Sequence, residues 1–259
     1  MVSGPERRQE LLAHSLGGRP GTGRTGGDET GRGRGGRVME HLRIDVGLEL
    51  ETAFHTTGNL RRLGADKALA RSAEGHWVIP ATTLKGFLRE NAEILLRTWG
   101  HENVCTGPEP ATMCKDQPLC LVCQIFGNPR HPSPLRFSDA VLLTFEAETA
   151  VRSGVAISRH RRAAFPQRLF FLETTQAIPT RWHATCEGEF KDLHIAKAAA
   201  ALVALAARWG RAVGGGKTRG LGWIKDVELK TTLNGNTLLE DDLFPFWQAW
   251  KEGKDVAEG

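Results

Sequence analysis

The sequence has no apolar run of the roughly 18 to 20 residues needed to cross a bilayer, and its first residues lack the apolar stretch of a secretion signal. These absences exclude the simplest membrane and export classes, and the expectation is a soluble, cytoplasmic protein with no membrane partner. Charge excess is small. A net charge of +4 over 259 residues and a pI near 8.9 are compatible with a nucleic-acid partner without diagnosing one. Cysteine is scarce outside one segment: Cys105, Cys114, Cys120 and Cys123 crowd together and Cys186 stands apart. Disulfides are disfavoured in a reducing cytoplasm, so the cluster reads first as a metal site. What is present suffices for a real core, with 40% of residues apolar.

Residues 1–38 are rich in Gly and Arg and carry no apolar periodicity after Leu11 and Leu12. Such a segment cannot bury enough surface to offset its ordering entropy. It is expected to be a disordered tail, or to lie ahead of a true start at Met39; a loose RNA-binding arm is the alternative. From Leu42 to Glu51 apolar and polar residues alternate strictly, which is the pattern of a half-buried strand. A polar loop and a short extended stretch, Trp77 to Pro80, lead to a helix capped by Thr82 or Thr83. Its apolar residues Leu84, Phe87, Leu88, Ala92, Leu95 and Leu96 recur at helical spacing. Lys85 in the first turn of this helix, with Arg89, would suit an anion.

Leu135 to Leu143 reads as one continuous strand. Residues 151–175 read as a long, basic β-hairpin projecting from the core, with Arg159, His160, Arg161 and Arg162 at its turn; a merely solvated charge run is the alternative. Trp182 to Phe190 is another alternating strand, and Leu193 to Trp209 an alanine-rich helix. Leu221 to Leu233 closes the domain. Residues 234–259 are expected to pack back as a short helix through Leu238, Leu239, Leu243, Phe244, Phe246, Trp247 and Trp250. The order of strand, helix, strands, helix, strand predicts an α+β fold with a ferredoxin-like core over residues 39–233, the layout of RNA-recognition modules.

Between the second helix and the last strand lies Gly214-Gly215-Gly216-Lys217-Thr218-Arg219-Gly220-Leu221-Gly222. A P-loop would need a glycine five positions before Gly216, where Arg211 stands, and would run from strand into helix rather than the reverse. That excludes a nucleoside-triphosphatase loop. A backbone cradle for an RNA sugar-phosphate chain is expected, built on Gly215, Gly216, Lys217, Thr218, Arg219 and Gly220; a tight structural connection is the alternative. The spacing C-x8-C-x5-C-x2-C within an insertion at about residues 100–133 offers four soft ligands, with His101 as a substitute for Cys105 or Cys114. Four thiolates would close a tetrahedral structural zinc site and leave no open position for water.

These stretches carry a family resemblance. The glycine loop resembles the signature loop of the RAMP superfamily, the repeat-associated proteins of CRISPR systems. Val78 to Arg89 resembles the "IPGSSLKGxxR" segment of the repeated backbone subunit of type III effector complexes, with Ala81 replacing a glycine. Cys120 to Gly127 resembles its "C-x-x-C-x-(L/I)-F-G". Val155 to Arg159 with Leu169, Phe170 and Glu173 is similar to its thumb hairpin, with Ser158 where Asp is usual. The "PVIRD" wording after the first strand is absent. The resemblance implies a subunit that polymerises along a CRISPR guide RNA with copies of itself and other type III subunits, and whose thumb kinks the guide–target duplex.

It further implies an endoribonuclease that cuts complementary target RNA at regular intervals in antiviral defence, by metal-dependent attack of a ribose 2′-hydroxyl with Mg²⁺ or another divalent ion. Asp66, in Leu63-Gly64-Ala65-Asp66, matches the catalytic position, and His55 at the edge of the same loop is a candidate acid or base. The alternatives are a non-catalytic RNA-binding subunit of the same assembly and a stand-alone endoribonuclease that processes precursor guide RNA.

Overall fold

A computed structural model describes residues 39–58, 62–107, 109–144 and 148–254; the tail expected over 1–38 lies outside them. The chain divides into two units, Met1–Gly36 and Arg37–Gly259, and everything below concerns the second. Strand β1 (Glu40–Leu50) buries Leu42, Ile44, Val46, Leu48 and Leu50 on one face, as its alternation requires. It is flanked by β7 (Thr180–Phe190) and β8 (Ile224–Leu233), both antiparallel to it. Beyond β7 lie β3 (Leu135–Phe137) and β4 (Ala140–Leu142); β2 (Val78–Ile79) pairs with β4 at one edge, and β9 (Asn236–Leu238) with β8 at the other.

Helix α1 (Ala81–Thr98), the short helix α2 (Leu121–Phe126) and helix α3 (Leu193–Trp209) share one core with the inward residues of β1 and β7. The alanines of α3 are buried almost throughout. Small side chains let its neighbours approach closely: at Gly210, just past its end, any Cβ would collide with the Phe87 ring of α1. Asp192 caps α3, accepting from the amides of His194 and Ile195 at 2.7 and 3.3 Å. Helix α4 (Glu240–Lys251) covers α3, burying Leu243, Phe246 and Trp250 and donating from Trp247 Nε1 to the Ala201 carbonyl at 2.9 Å. Leu239 and Phe244, expected to pack, are exposed.

Two expectations are corrected. The stretch 135–143 is two short strands, because the ladder is interrupted at Ser138 and Asp139: the Ser138 amide still donates to the Thr185 carbonyl at 2.8 Å, but the return bond goes to its side chain. Ser138 Oγ accepts from the Thr185 amide at 2.9 Å, and the Asp139 carboxylate accepts from the Ala81 amide at 2.7 Å. That second bond also replaces the expected cap: α1 begins after Pro80 with no side-chain cap of its own, so neither Thr82 nor Thr83 serves. The hairpin at 151–175 is present as β5 (Ala150–Ser158) and β6 (Ala163–Thr174), a separate two-stranded sheet. Asp139→Ala is expected to cost about 1 kcal/mol through loss of the cap, read as a lower midpoint in chemical denaturation at unchanged slope.

Candidate nucleic-acid interface and metal centre

The register brings Leu50, Thr180 and Ile224 to one end of the sheet. Three segments converge there: the chain after β1, the base of the β5–β6 thumb, and the glycine loop. The Phe54 amide donates to Thr175 Oγ1 at 2.8 Å and the Thr175 amide to the Phe54 carbonyl at 2.9 Å. On the other side, the amides of Gly215 and Gly222 donate to the carbonyls of His55 and Ala53 at 2.7 and 2.8 Å. Gly214 and Gly222 adopt φ of +87° and +68°, and a Cβ at either would strike a carbonyl oxygen, His55 O or Val213 O. Both therefore have to be glycine.

Glu173 anchors this junction. It is fully buried, accepts from the Leu69 amide at 3.0 Å, and is ion-paired with Arg62 and, at 3.6 Å, Arg71. Burial pushes its carboxyl up, but the Leu69 amide, Thr149 and Arg62 outweigh burial and hold it below the ordinary carboxylate value. The Glu173 carbonyl faces His55 Nδ1 at 2.6 Å, and His55 Nε2 faces Thr57 Oγ1 at 3.0 Å. Burial lowers the His55 pKa despite the Glu173 carbonyl. The ring is enclosed and engaged at both nitrogens by groups of the chain itself. The sequence carried two signals for Glu173: its place in the thumb-hairpin resemblance, and an acidic residue closing the apolar run Leu169 to Leu172.

Asp66 is exposed at the edge of the thumb base. Its Oδ2 accepts from the Phe171 amide at 2.7 Å, and its own amide donates to the Phe171 carbonyl at 2.9 Å. The candidate catalytic carboxylate is therefore fixed in direction by strand β6. In the glycine loop, the amides of Gly215 and of residues 219 to 222 are taken by carbonyls of the chain itself, so the cradle narrows to Gly216, Lys217 and Thr218, where a single 3-10 turn opens. Lys217 Nζ pairs with Glu90 at 2.8 Å, both exposed. The Arg219 guanidinium sits 5.7 Å from the centroid of the Phe170 ring.

The thumb turn places Arg159, His160, Arg161 and Arg162 in solvent. Ser158 Oγ accepts from the Arg161 amide at 3.1 Å, the turn-closing task a carboxylate would perform there. Val151, Val155, Ile157, Phe165 and Leu169 are exposed along the hairpin; an apolar surface of this kind on a two-stranded ribbon is built to be covered. The outer face of the main sheet is different. Arg43, Asp45, Glu49, Arg181, His183, Thr185 and Glu187 project from β1 and β7. They form ion pairs there, Arg43 with Asp45 and Glu187, Arg181 with Glu49. No Phe or Trp stands among them, so the stacking platform of an RNA-recognition module is missing from this face.

The four clustered cysteines place their sulfurs within 4.8 Å of one another. A tetrahedral zinc–thiolate centre separates its sulfurs by about 3.8 Å, so the set could hold a metal ion and is compatible with zinc. Cys114 and Cys120 lend amides to the sulfurs of Cys105 and Cys114 at 3.1 and 3.4 Å. His101 is not part of the set: its Nε2 faces the Trp250 carbonyl at 2.8 Å and ties the insertion to α4. Arg89 is also turned inward. It pairs with buried Glu93 at 2.8 Å, donates to the Gly127 carbonyl and reaches Cys123 Sγ at 3.6 Å. Lys85 is half-buried 5.9 Å from the Phe137 centroid, its pKa lowered by burial and by Arg89.

Two outcomes follow from these contacts. Because the Glu173 pKa is depressed on folding, its stabilisation is present above the ordinary value of 4.5 and lost as pH falls through the folded value. Glu173→Gln should cost about 2 kcal/mol at pH 7 and show a shallower acid-side loss of stability than wild type in denaturation series across pH 3 to about 6. Cys120→Ser should lower the metal content measured by plasma mass spectrometry and the melting temperature together, while chelator should destabilise wild type more than the variant.

A family model for the RAMP superfamily matches residues 47–225, a span that includes the cysteine insertion, the thumb and the glycine loop. No curated protein matches the chain. The match covers more than half of the sequence and runs through each segment that meets at the end of the sheet, and on that basis the protein belongs to the RAMP superfamily.

Proposed function

We propose that this protein is a backbone subunit of a type III CRISPR ribonucleoprotein, holding guide RNA along a row of copies and cutting complementary target RNA. Membership in the RAMP superfamily points to a CRISPR-associated RNA-binding subunit. The observation that carries the finer reading is the convergence of glycine loop, Asp66 loop and basic, apolar thumb at one end of the sheet through Glu173 and His55. The spatial order β8-β1-β7, with β3 and β4 beyond, and two helices on one face support a ferredoxin-like core. The ion-paired outer face supports a grip made by loops and thumb rather than by the sheet.

In this reading Lys217 and the arginines of the thumb turn meet phosphates, and the exposed aliphatic and aromatic side chains of the hairpin press between bases. At the cutting step the ribose 2′-hydroxyl loses its proton and its oxygen attacks the adjacent phosphorus. The bond to the 5′-oxygen breaks and that oxygen takes a proton, leaving a cyclic phosphate and a 5′-hydroxyl. Asp66 has one carboxylate oxygen committed to the Phe171 amide and is oriented by it; the carboxylate would hold Mg²⁺ or accept the hydroxyl proton. The ion would supply charge neutralisation at the scissile phosphate.

A specific observation favours a second reading, an RNA-binding subunit that does not cut: Asp66 already serves as a structural tie, and the buried His55 offers no acid or base. The same burial disfavours a stand-alone processing enzyme based on histidine. The test is target cleavage by the complex reassembled with guide RNA and Mg²⁺, comparing wild type with Asp66→Asn, which keeps an acceptor for the Phe171 amide. Regularly spaced products that fall at least about a hundredfold in rate support cutting by Asp66. Equal rates would move the chemistry to another residue, and no products from either protein would favour the non-cutting subunit.

A further inference from the structure

The ring of Phe170 meets two other parts of the chain. It covers Gly154, its cross-strand partner in the hairpin, where any Cβ would run into the ring. The Arg219 guanidinium lies 5.7 Å from the ring centroid. Arg219 belongs to the glycine loop and Phe170 to the thumb, so this stack bridges two of the converging segments. Gly154 has no positive φ, so the backbone there would accept alanine, and the space for the ring is what a glycine provides at this position. The remaining ties of the thumb base, at Asp66, Lys67 and Glu173, are made to the chain after β1 and not to the glycine loop.

We propose that Arg219, Phe170 and Gly154 form a latch that sets the angle of the thumb against the glycine loop, and that Arg219 is a positioning residue rather than a phosphate contact. The Arg219 guanidinium is exposed and lies within cation–π range of the ring at 5.7 Å, and a planar guanidinium suits an aromatic face better than an ammonium does. Lys217, two residues earlier, differs: its partner Glu90 is an exposed carboxylate, and a pair of that kind is weak enough for a phosphate to replace. The two cations of the loop therefore have separate tasks.

The latch itself is tested without RNA, in the full metal-loaded chain. Spin labels on non-canonical residues at positions 160 and 230 report the distance from thumb tip to sheet. Arg219→Gln, Phe170→Leu and Gly154→Ala should each broaden the distribution, while Arg219→Lys should broaden it less than Arg219→Gln. A distribution left unchanged by all three overturns the latch. The second arm rests on the RNA-binding reading and uses a single-stranded RNA of ~30 nucleotides, a length that spans several single-strand binding sites. Arg219→Gln and Phe170→Leu should each weaken binding about two- to fivefold at an unchanged salt slope, and the double variant should lose no more than either single one.

Lys217→Gln, by contrast, should reduce the salt slope by about 0.7. A slope reduced equally by Arg219→Gln and untouched affinity in Phe170→Leu would make Arg219 a phosphate contact and overturn the assignment. If wild type fails to bind the RNA at all, the function proposed above fails, and the distance measurement alone decides the latch.

Discussion

A carboxylate closed off from water costs several kcal/mol unless it is fully partnered, and Glu173 meets that requirement only because distant parts of the chain come to it. Its side chain takes the Leu69 amide, Arg62 and Arg71; its carbonyl takes His55; its amide is bound to Lys67. His55 in turn receives Gly215 through its own carbonyl. The loop that bears Asp66, the thumb and the glycine loop are thus joined through one buried charge. Each is a segment with little core of its own, and none would hold a defined direction alone.

The cysteine insertion repeats this arrangement on the other side of α1. Glu93 is buried on the helix face that should be apolar, and it is kept there by Arg89 at 2.8 Å and by the Gly107 amide at 3.1 Å. Arg89 continues to Gly127 and Cys123. The two charged side chains of α1 therefore hold the insertion through Gly107, Gly127 and Cys123, and His101 secures its start to α4. A metal held by the four sulfurs would close a segment that already has fixed ends.

In the proposed function, recognition falls to loops mounted on a rigid frame, a common division of labour. The outward residues of β1 and β7 pair many of their charges with one another, so little is left there to neutralise phosphates, and no Phe or Trp stands among them. The thumb has the opposite character, with arginines at the turn that make no ion pair among the described residues and with apolar side chains in solvent. Exposure of that kind is costly in isolation.

The parts of the structure legible in the sequence are those whose cause is local. Strict alternation identified β1 and β7, helical spacing identified α1, alanine content identified α3, and cysteine spacing identified a cluster whose sulfurs do meet. The parts that were not legible depend on partners far along the chain. Asp139 caps a helix that begins 58 residues earlier and so breaks a strand that alternation alone would continue. His101 turns to a carbonyl 149 residues away instead of to the metal cluster, and His55 to one 118 residues away instead of to solvent. Arg89 and Arg219 looked alike as loose cations; burial beside Glu93 made one an internal tie, and the ring of Phe170 gave the other a fixed seat. Side-chain type and periodicity are set by neighbours a few residues off, so the sequence by itself determined most of the elements, the family and the cysteine cluster. Where a polar group finds its partner is set by packing, and only the tertiary structure decided which of those groups face the solvent and which hold the site together.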